Sequence, residues 1–396
     1  MDINKETKEF IKENADKDVR DLALQAGKDS NIDMPFALRQ IEGRQKIRLK
    51  IPSFYVEDEL IYPLRLSLEQ ASSEITAQYK SSLCEGKVLA DLTGGFGIDS
   101  FFLSSRFEQA YYVERNEELC QIAEHNFRLM NKSQIKVVCG DGLSFLTDIQ
   151  KEFDWIYIDP ARRDKTGKKS VLLADCEPDI SKIYPQLLSK AKQVLIKLSP
   201  MIDITSVLQD IPQVSQVHII AVDNECKEVL FVLDSNKTEP ICIHTRNFVK
   251  SDSVQIFDYG LDDERNSSAQ FTANPQKYLY EPNAAIMKSA AFKLISSRYG
   301  LAKLHKNTHL YSSDKLIADF PGRIFEILSL WGNSKQEWKS RLKTLSKANI
   351  TVRNYPLSAD ELRKKLKLKD GGDIFLFACT LINESKTIVE CRKVIV

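Results

Sequence analysis

"KVLADLTGGFGIDS" occupies residues 87–100. A short apolar run ends on an acid, Asp91, and passes into a turn made of Thr93, Gly94, Gly95, Phe96 and Gly97. Helical spacing starts near Ile98. Glycines suit such a turn on two grounds. It demands dihedrals that side chains disfavour, and a ligand can lie there against bare backbone. In open α/β sheets, ligands bind outside the carboxyl ends of the strands, where the strand order reverses. The stretch therefore predicts a first strand–helix unit with a ligand pocket at its turn.

The following residues repeat the theme. "QAYYVER" reads as a strand and ends at Glu114, and "IKVVCGD" ends at Asp141. "FDWIYIDP" ends at Asp159, and "KQVLIKLSP" carries Lys197. Helical patterns separate these strands: "NEELCQIAEHNFRLMN", "GLSFLTDIQ" and "PDISKIYPQLLSKA", the last with Pro185 an awkward fit. Alternation of this kind makes a parallel sheet covered on both faces. "QVHIIAVDNECKEVLFVLD" (216–234) reads as two strands joined by a polar turn, an antiparallel hairpin that closes the sheet. Glu114, roughly 20 residues past the glycine turn, is placed to accept both hydroxyls of a ribose. Asp141, at the third tip, is placed to accept from an amino group such as adenine N6.

"DLTGGFG", "VERN", "CGDGLSFL" and "YIDPARR" resemble, in order and spacing, the successive motifs of class I S-adenosylmethionine-dependent methyltransferases. The resemblance covers about residues 85–235. It implies an α/β fold with a seven-stranded Rossmann-like sheet and a closing antiparallel hairpin, and S-adenosylmethionine as cofactor. It assigns the methionine and ribose portion to Asp91, Thr93, Gly94, Gly95 and Gly97, and the ribose hydroxyls to Glu114. Asp141 and Gly142 flank the adenine, and Asp159 and Pro160 face the methyl and its acceptor. A nicotinamide-binding domain prefers Gly-x-Gly-x-x-Gly. Gly95-Phe96-Gly97-Ile98-Asp99-Ser100 lacks the third glycine.

The C-terminal part carries a narrower resemblance. "VRNYPLSADELRKKLKLKDGGDIFLFACT" (352–380) resembles the THUMP-like domain of a small group of bacterial methyltransferases. "YLYEPNAAIMKSAAFKLISSRYGLAKLHKNTHLYSSD" (278–314) resembles their ferredoxin-like linker domain. THUMP domains are associated with RNA-modifying enzymes, so the resemblance implies RNA as partner. The expected organisation is a helical region at 1–82 and a methyltransferase domain at 83–237. Linker strands and a ferredoxin-like segment follow at 238–318, then a THUMP-like α+β domain at 319–396. Within these parts "DVRDLALQAG" predicts a helix stopped at Gly27, and residues 67–83 predict one helix. "NAAIMKSAAFKLISSRYG" predicts another, stopped by Gly300, and "PGRIFEILSLW" a third. "PICIHTRNF" and "SVQIFDYG" predict strands, and "DDERNSSAQ" a polar linker.

The acceptor side is distinctive. Methyl transfer from a sulfonium is an in-line displacement, in which alignment and exclusion of water are the main demands. Methyltransferases of exocyclic amines usually carry Asp/Asn-Pro-Pro-aromatic at this strand, the aromatic stacking a flipped base. Here the residues are Asp159-Pro160-Ala161-Arg162. A guanidinium can stack on a base and clamp a phosphate. The expected catalytic set is Asp159, Pro160 and Arg162. Arg162, Arg163, Lys165 and Lys197 are the expected substrate contacts, with Lys168 and Lys169 completing a basic lid. A brace between an arginine and a nearby acid is the alternative for Arg163, and Lys197 either meets the substrate or points to water. C5 methylation of a pyrimidine needs a cysteine nucleophile, and Cys176 stands in no such motif. Gln70, Ser72 and Ser73, on the preceding helix, either cover the cofactor or pack.

Composition sets the outer bounds. A chain of 396 residues with 43% hydrophobic and 28% charged residues is a soluble globular protein of more than one domain. No apolar run reaches the roughly 18 residues of a membrane span. The opening "MDINKETKEFIKENADKD" lacks the apolar stretch of a signal peptide, so a cytoplasmic protein is expected. The eight cysteines include no Cys-x-x-Cys pair, so neither a zinc site nor a disulfide framework is expected. Net charge is +1, yet residues 39–50, 161–169 and 363–370 are locally basic, which suits a polyanion. These features lead to an RNA methyltransferase. A methyltransferase of a protein or small anionic metabolite, or a non-catalytic RNA-binding scaffold, stays open, as do the acceptor atom and the oligomeric state.

Overall fold

The structure is a computed structural model that describes residues 3–25, 31–162, 172–250, 253–332, 335–343 and 345–395. It divides into two compact units, residues 1–215 with 230–238, and residues 216–229 with 239–396.

The first unit opens with helices α1 (Lys5–Glu13), α2 (Val19–Gln25), α3 (Met34–Ile47), α4 (Pro52–Tyr55), α5 (Arg65–Gln70) and α6 (Glu74–Leu83). The helix expected over 67–83 is thus two. Ser73 takes an extended backbone, φ −75° and ψ 157°, and its hydroxyl accepts from the Thr76 N–H to cap α6. Serine competes for backbone groups in this way, and so ends one helix and starts the next. The stop expected at Gly27 lies outside the described residues.

Then come β1 (Gly86–Asp91), α7 (Ile98–Leu103), β2 (Phe107–Glu114), α8 (Glu117–Leu129), β3 (Ile135–Cys139), α9 (Gly142–Asp148) and β4 (Phe153–Ile158). A short antiparallel pair follows, β5 (Ala161–Arg162) with β6 (Cys176–Glu177). Next are α10 (Ile180–Lys190), β7 (Ala191–Leu198), α11 (Ile204–Asp210), β8 (Val214–Val222) and β9 (Glu225–Asp234). α10 runs through Pro185 without ending there. β1 lies between β2 and β4 and is parallel to both; β3 lies beyond β2, and β7 beyond β4. The order continues from β7 to β9 and then β8. Leu89, Ala90, Ile156, Val194 and Leu195 are fully buried at its centre. This is the doubly wound α/β sheet that the sequence predicts, and its order reverses between β1 and β4. Asp91 and Asp159 stand at that switch point.

In the second unit, Asp223 and Asn224 join β8 to β9 with φ 49° and 63°. Two positive φ values make the type I′ turn of a tight antiparallel hairpin. β10 (Cys242–Val249) pairs in parallel with β8, and β11 (Ser253–Gly260) pairs antiparallel with β10. The two segments expected as linker strands thus pair beside β8. α12 (Leu261–Asn266) replaces the expected polar linker. Its first turn holds Asp262, Asp263 and Glu264, which favour a helix N-terminus.

The remaining elements are β12 (Gln270–Phe271), β13 (Tyr278–Pro282), α13 (Ala284–Ser289), α14 (Phe292–Tyr299), β14 (Ala302–Lys303), β15 (Tyr311–Ser313) and β16 (Gly322–Trp331). They end with α15 (Lys335–Arg341), β17 (Asn349–Arg353), α16 (Ala359–Leu366), β18 (Ile374–Thr380) and β19 (Lys386–Lys393). Their sheet runs β12-β14-β15-β13-β16-β19-β18-β17. Two expectations fail here. The helix over 283–300 breaks at Ala290, whose φ is 61°. Residues 322–331 are strand β16 rather than a helix. A shift of register between Ile327 and Ser329 breaks the alternation by which a strand is recognised. No helix among the described residues is long and apolar enough to cross a membrane.

Candidate active site at the strand tips

Asp91 ends β1 with only 1% of its surface exposed. Its Oδ1 accepts from the Thr93 N–H at 3.0 Å, and its Oδ2 accepts from the Ser100 hydroxyl. Burial pushes this carboxyl up to about 7. The two hydrogen bonds oppose the rise, and the neighbouring Asp99 and Asp159 charges add to it. The turn is laced to its neighbours. Leu92 N–H donates to the Tyr157 carbonyl at 3.0 Å, and Gly94 N–H to the Val113 carbonyl at 2.9 Å. Thr93 Oγ1 accepts from the Asp159 N–H at 2.7 Å, which ties the tips of β1 and β4 together.

The glycines divide by cause. A Cβ on Gly94 would stand 2.2 Å from Tyr112 Cε2. One on Gly97, at φ 87°, would stand 2.8 Å from Phe127 Cζ, and one on Gly142 2.7 Å from the Leu92 carbonyl oxygen. These three are demanded by the protein's own packing. Gly95, at φ 55°, differs: the nearest atom to its missing Cβ is the Thr93 carbonyl oxygen at 3.8 Å. Gly95 is thus the bare backbone of this turn with room before it. Gly94→Ala is expected to lower stability by about 1–3 kcal/mol through overpacking against Tyr112. Thermal unfolding of the full chain measures this, and an unchanged melt would mean that the ring can yield.

Glu114 locks onto the turn. Its Oε2 accepts from the Gly95 N–H and its Oε1 from the Asn116 N–H, both at 2.9 Å. The carboxylate is partly exposed and keeps spare lone pairs. Asp141 is more committed. Its Oδ1 caps α9 by accepting from the Ser144 N–H at 2.9 Å and hydroxyl at 3.0 Å, and its Oδ2 accepts from Arg115 Nε at 2.9 Å. The Ser144 N–H and Arg115, against burial, hold Asp141 below the ordinary carboxylate range. Any adenine contact must share this carboxylate with the helix cap.

Asp159 is partly exposed, and the adjoining Pro160 is buried. Lys197 Nζ donates to Asp159 Oδ2 at 2.5 Å and lies 3.9 Å from Asp99 Oδ2. The β7 lysine thus reaches the tip of β4 and is bound to Asp159. Sequence reading passed over Asp99, Lys80 and Tyr157. Ser72 Oγ and Tyr157 Oη each donate to Asp99 Oδ2 at 2.8 Å. Lys80 Nζ donates to Ser72 Oγ at 3.0 Å and lies 3.1 Å from Asp99 Oδ1. Burial opposes the charge on Asp99, but Lys80 and Lys197 outweigh it and hold the carboxyl below its ordinary value. Ser72 therefore belongs to this network, Ser73 caps α6, and Gln70 is exposed.

Arg162 sits in β5 opposite the buried Cys176. Arg163, Lys165, Lys168 and Lys169 lie outside the described residues. Several cations of the other basic runs are partnered by acids. Arg39 meets Glu118 at 2.6 Å, Arg44 meets Asp58 at 2.7 Å and Lys46 meets Glu69 at 2.8 Å. Arg363 meets both Asp360 and Asp370 at 2.8 Å. Among the described residues no group of three or more His, Cys, Asp or Glu could hold a metal ion.

A crystal structure of a protein from Porphyromonas gingivalis W83, described as a candidate methyltransferase, is 35% identical to this chain. The two superpose with a TM-score of 0.90, over 100% of each chain. This chain belongs to the same methyltransferase family. Residues 278–321 match a ferredoxin-like domain, and residues 322–393 match a domain described as THUMP domain-like. The first match spans β13 to β15, and the second β16 to β19. Two smaller structures align with part of this chain. An rRNA methylase from Streptococcus thermophilus is 11% identical, with a TM-score of 0.32, over 40% of this chain and 94% of that chain. TrmK of M. capricolum in complex with S-adenosyl-homocysteine is 16% identical, with a TM-score of 0.32, over 41% of this chain and 68% of that chain. Neither is near enough to bear on function. No curated protein matches the chain.

Proposed function

We propose that this protein transfers a methyl group from S-adenosylmethionine to RNA, in the cytoplasm. The observation that carries the reading is the row of carboxylates Asp91, Glu114, Asp141 and Asp159 at or just past the ends of four strands, with Glu114 fixed on Gly95. The residues fit the cofactor in two respects. The space before Gly95 lets a ligand approach backbone that Glu114 has already fixed. The buried Asp91 carboxyl, pushed up by desolvation, gains from a cationic amino acid end nearby.

When bound, the cofactor supplies a methyl group on a positively charged sulfur. Asp91, Thr93, Gly94, Gly95 and Gly97 hold its methionine and ribose portion, Glu114 the ribose hydroxyls, and Asp141 with Gly142 the adenine. Asp159 and Pro160 line the side from which the acceptor enters. Arg162, Arg163 and Lys165 follow directly in the chain and bring positive charge to an anionic acceptor. The THUMP-like match over 322–393 and this cationic stretch support RNA as that acceptor. The test is incubation of the full chain with methyl-labelled S-adenosylmethionine and total RNA from cells lacking the gene. Label is expected in RNA, and mass spectrometry of its nucleosides then names the atom. Label on protein or small molecules instead overturns the RNA acceptor. Absence of S-adenosylhomocysteine binding by calorimetry overturns the cofactor.

Asp91 also gives the free protein a pH signature. Its folded value of about 7 stands above the ordinary 3.8. Between those values the folded state holds a proton that the unfolded chain has lost. Its contribution to stability is therefore full below pH 4 and is lost as pH rises through 7. Relative to Asp91→Asn, the wild type is expected to lose about 2–3 kcal/mol between pH 5 and pH 8. Unfolding of both proteins across that range measures the difference, in which the other titrating groups cancel. Parallel curves would mean that Asp91 is ionised throughout.

A further inference from the structure

Lys80, Asp99, Lys197 and Asp159 form a chain of alternating charges that runs from the interior to the reactive tip. Its links are 3.1 Å, 3.9 Å and 2.5 Å. Side-chain exposure rises along it, from 0% at Lys80 through 11% at Asp99 and 13% at Lys197 to 35% at Asp159. Burying an ion costs several kcal/mol even when it is paired, and apolar residues would fill such a space more cheaply. A buried charge chain that opens at only one end calls for a reason at that end.

We infer that Asp159 accepts the proton shed by the methyl acceptor, and that Lys197, backed by Asp99 and Lys80, is the positioning residue that holds its carboxylate in place. The inference rests on the methyltransferase reading above. The nucleophile's lone pair forms the new bond to the methyl carbon, and the pair of the broken bond stays on sulfur. The nucleophile's proton passes to Asp159 Oδ, making a carboxylic acid that later returns it to water. Sulfur loses one positive charge and Asp159 loses one negative charge, so the net charge of the pocket does not change. Asp99 now has a purpose. When Asp159 is neutralised, Lys197 still faces one carboxylate, so no buried cation is left alone, and Lys80 balances Asp99 from the other side. The arrangement selects acceptors that carry a proton on the attacked atom, an amine N–H or a hydroxyl. A ring nitrogen that attacks through a free lone pair needs no such base.

The charge chain predicts binding as well as rate. Lys197→Met leaves a net negative charge beside Asp159, so the affinity for cationic S-adenosylmethionine relative to S-adenosylhomocysteine is expected to rise about tenfold. Asp159→Asn leaves a net positive charge, and the same ratio is expected to fall about tenfold. Lys197→Arg should keep the wild-type ratio. Calorimetry with the two ligands on the full chain reads these ratios without turnover. For label transfer to total RNA, Lys197→Met should lose about a hundredfold in kcat with no rise in KM for S-adenosylmethionine, and Lys197→Arg should recover most of it. Lys197 is paired in the free protein, so Lys197→Met risks misfolding; Asp159→Asn, at the exposed end, tests the same balance with the opposite sign. A ratio that stays at the wild-type value in Asp159→Asn overturns the charge chain, as does wild-type kcat in a folded Lys197→Met. Failure of the underlying reading is distinct, because it shows in the wild type, which would then bind neither ligand.

Discussion

Lys80→Met is expected to destabilise the protein by about 3 kcal/mol, the largest loss of stability from any single change at the site. Lys80 sits on α6 with no exposed surface, 3.1 Å from Asp99 Oδ1. That oxygen is buried and makes no hydrogen bond, so the ammonium charge is what compensates it. Methionine fills similar volume but leaves the oxygen facing nothing. Asp99 keeps Lys197, Ser72 and Tyr157, which is why the loss stays below that of a carboxylate stripped bare. The effect also has a pH direction. Asp99 is held below its ordinary value by the two lysines, against burial, so its contribution is present at neutral pH and is lost as pH falls through the folded value. Without Lys80 that loss sets in at higher pH. Denaturant unfolding of the full chain gives the magnitude. Adding Asp99→Asn to Lys80→Met removes the lone charge, so the double change should cost less than the two singles together. A Lys80→Met protein as stable as the wild type would show that water or a shifted side chain already satisfies Asp99.

The same residue marks the limit of what the sequence discloses. Lys80 lies in "EITAQYKSSL", where a lysine among polar neighbours resembles a solvated helix face. It shares its buried face with Thr76, Ala77 and Ser81, and partners outside its own helix, Asp99 and Ser72, make that burial tolerable. A pairing between two helices leaves no local trace. The strand-tip acids were legible for the opposite reason. Each follows an apolar strand pattern, and a carboxylate at the end of such a run marks where the strand ends. The row Asp91, Glu114, Asp141 and Asp159 follows from the hydrophobic pattern alone.

The elements divide in the same way. β1, β4 and β7 each bury at least three consecutive residues, Leu89–Asp91, Trp155–Ile158 and Val194–Ile196, so their centres read as short apolar runs. β16 carries a bulge, which scrambles its period of two and makes it resemble a helix. α13 and α14 part at Ala290, a left-handed residue that no glycine announces. The glycine turn reads correctly as a turn, but the protein's own packing already demands most of its glycines. Tyr112, Phe127 and Leu92 account for Gly94, Gly97 and Gly142, and Gly95 alone of these keeps open space before it. A spacing motif cannot separate a glycine that makes room for a ring of the protein from one that makes room for a guest.

Glu114→Ala is expected to weaken S-adenosylhomocysteine binding about hundredfold, the largest loss of affinity at the site. Hydrogen bonds to a charged group contribute about 1.5–3 kcal/mol each. A carboxylate that accepts from two ribose hydroxyls loses both, less what water restores. The carboxylate is also held in advance, because Gly95 and Asn116 N–H fix its two oxygens before any ligand arrives. Alanine removes that preorganisation too, so the turn should loosen along with the ribose contact. Glu114→Gln separates the two effects. Its amide oxygen can keep the Gly95 N–H, while its NH₂ group cannot accept from a hydroxyl, so a loss nearer tenfold is expected. Calorimetry with S-adenosylhomocysteine reads both variants, and because Glu114 is partly exposed both should stay folded. If Glu114→Ala binds as the wild type does, the ribose lies elsewhere and the strand-tip row loses its second member. If Glu114→Gln is as damaged as Glu114→Ala, the carboxylate acts mainly through its charge on the ribose, and the hold on Gly95 matters little.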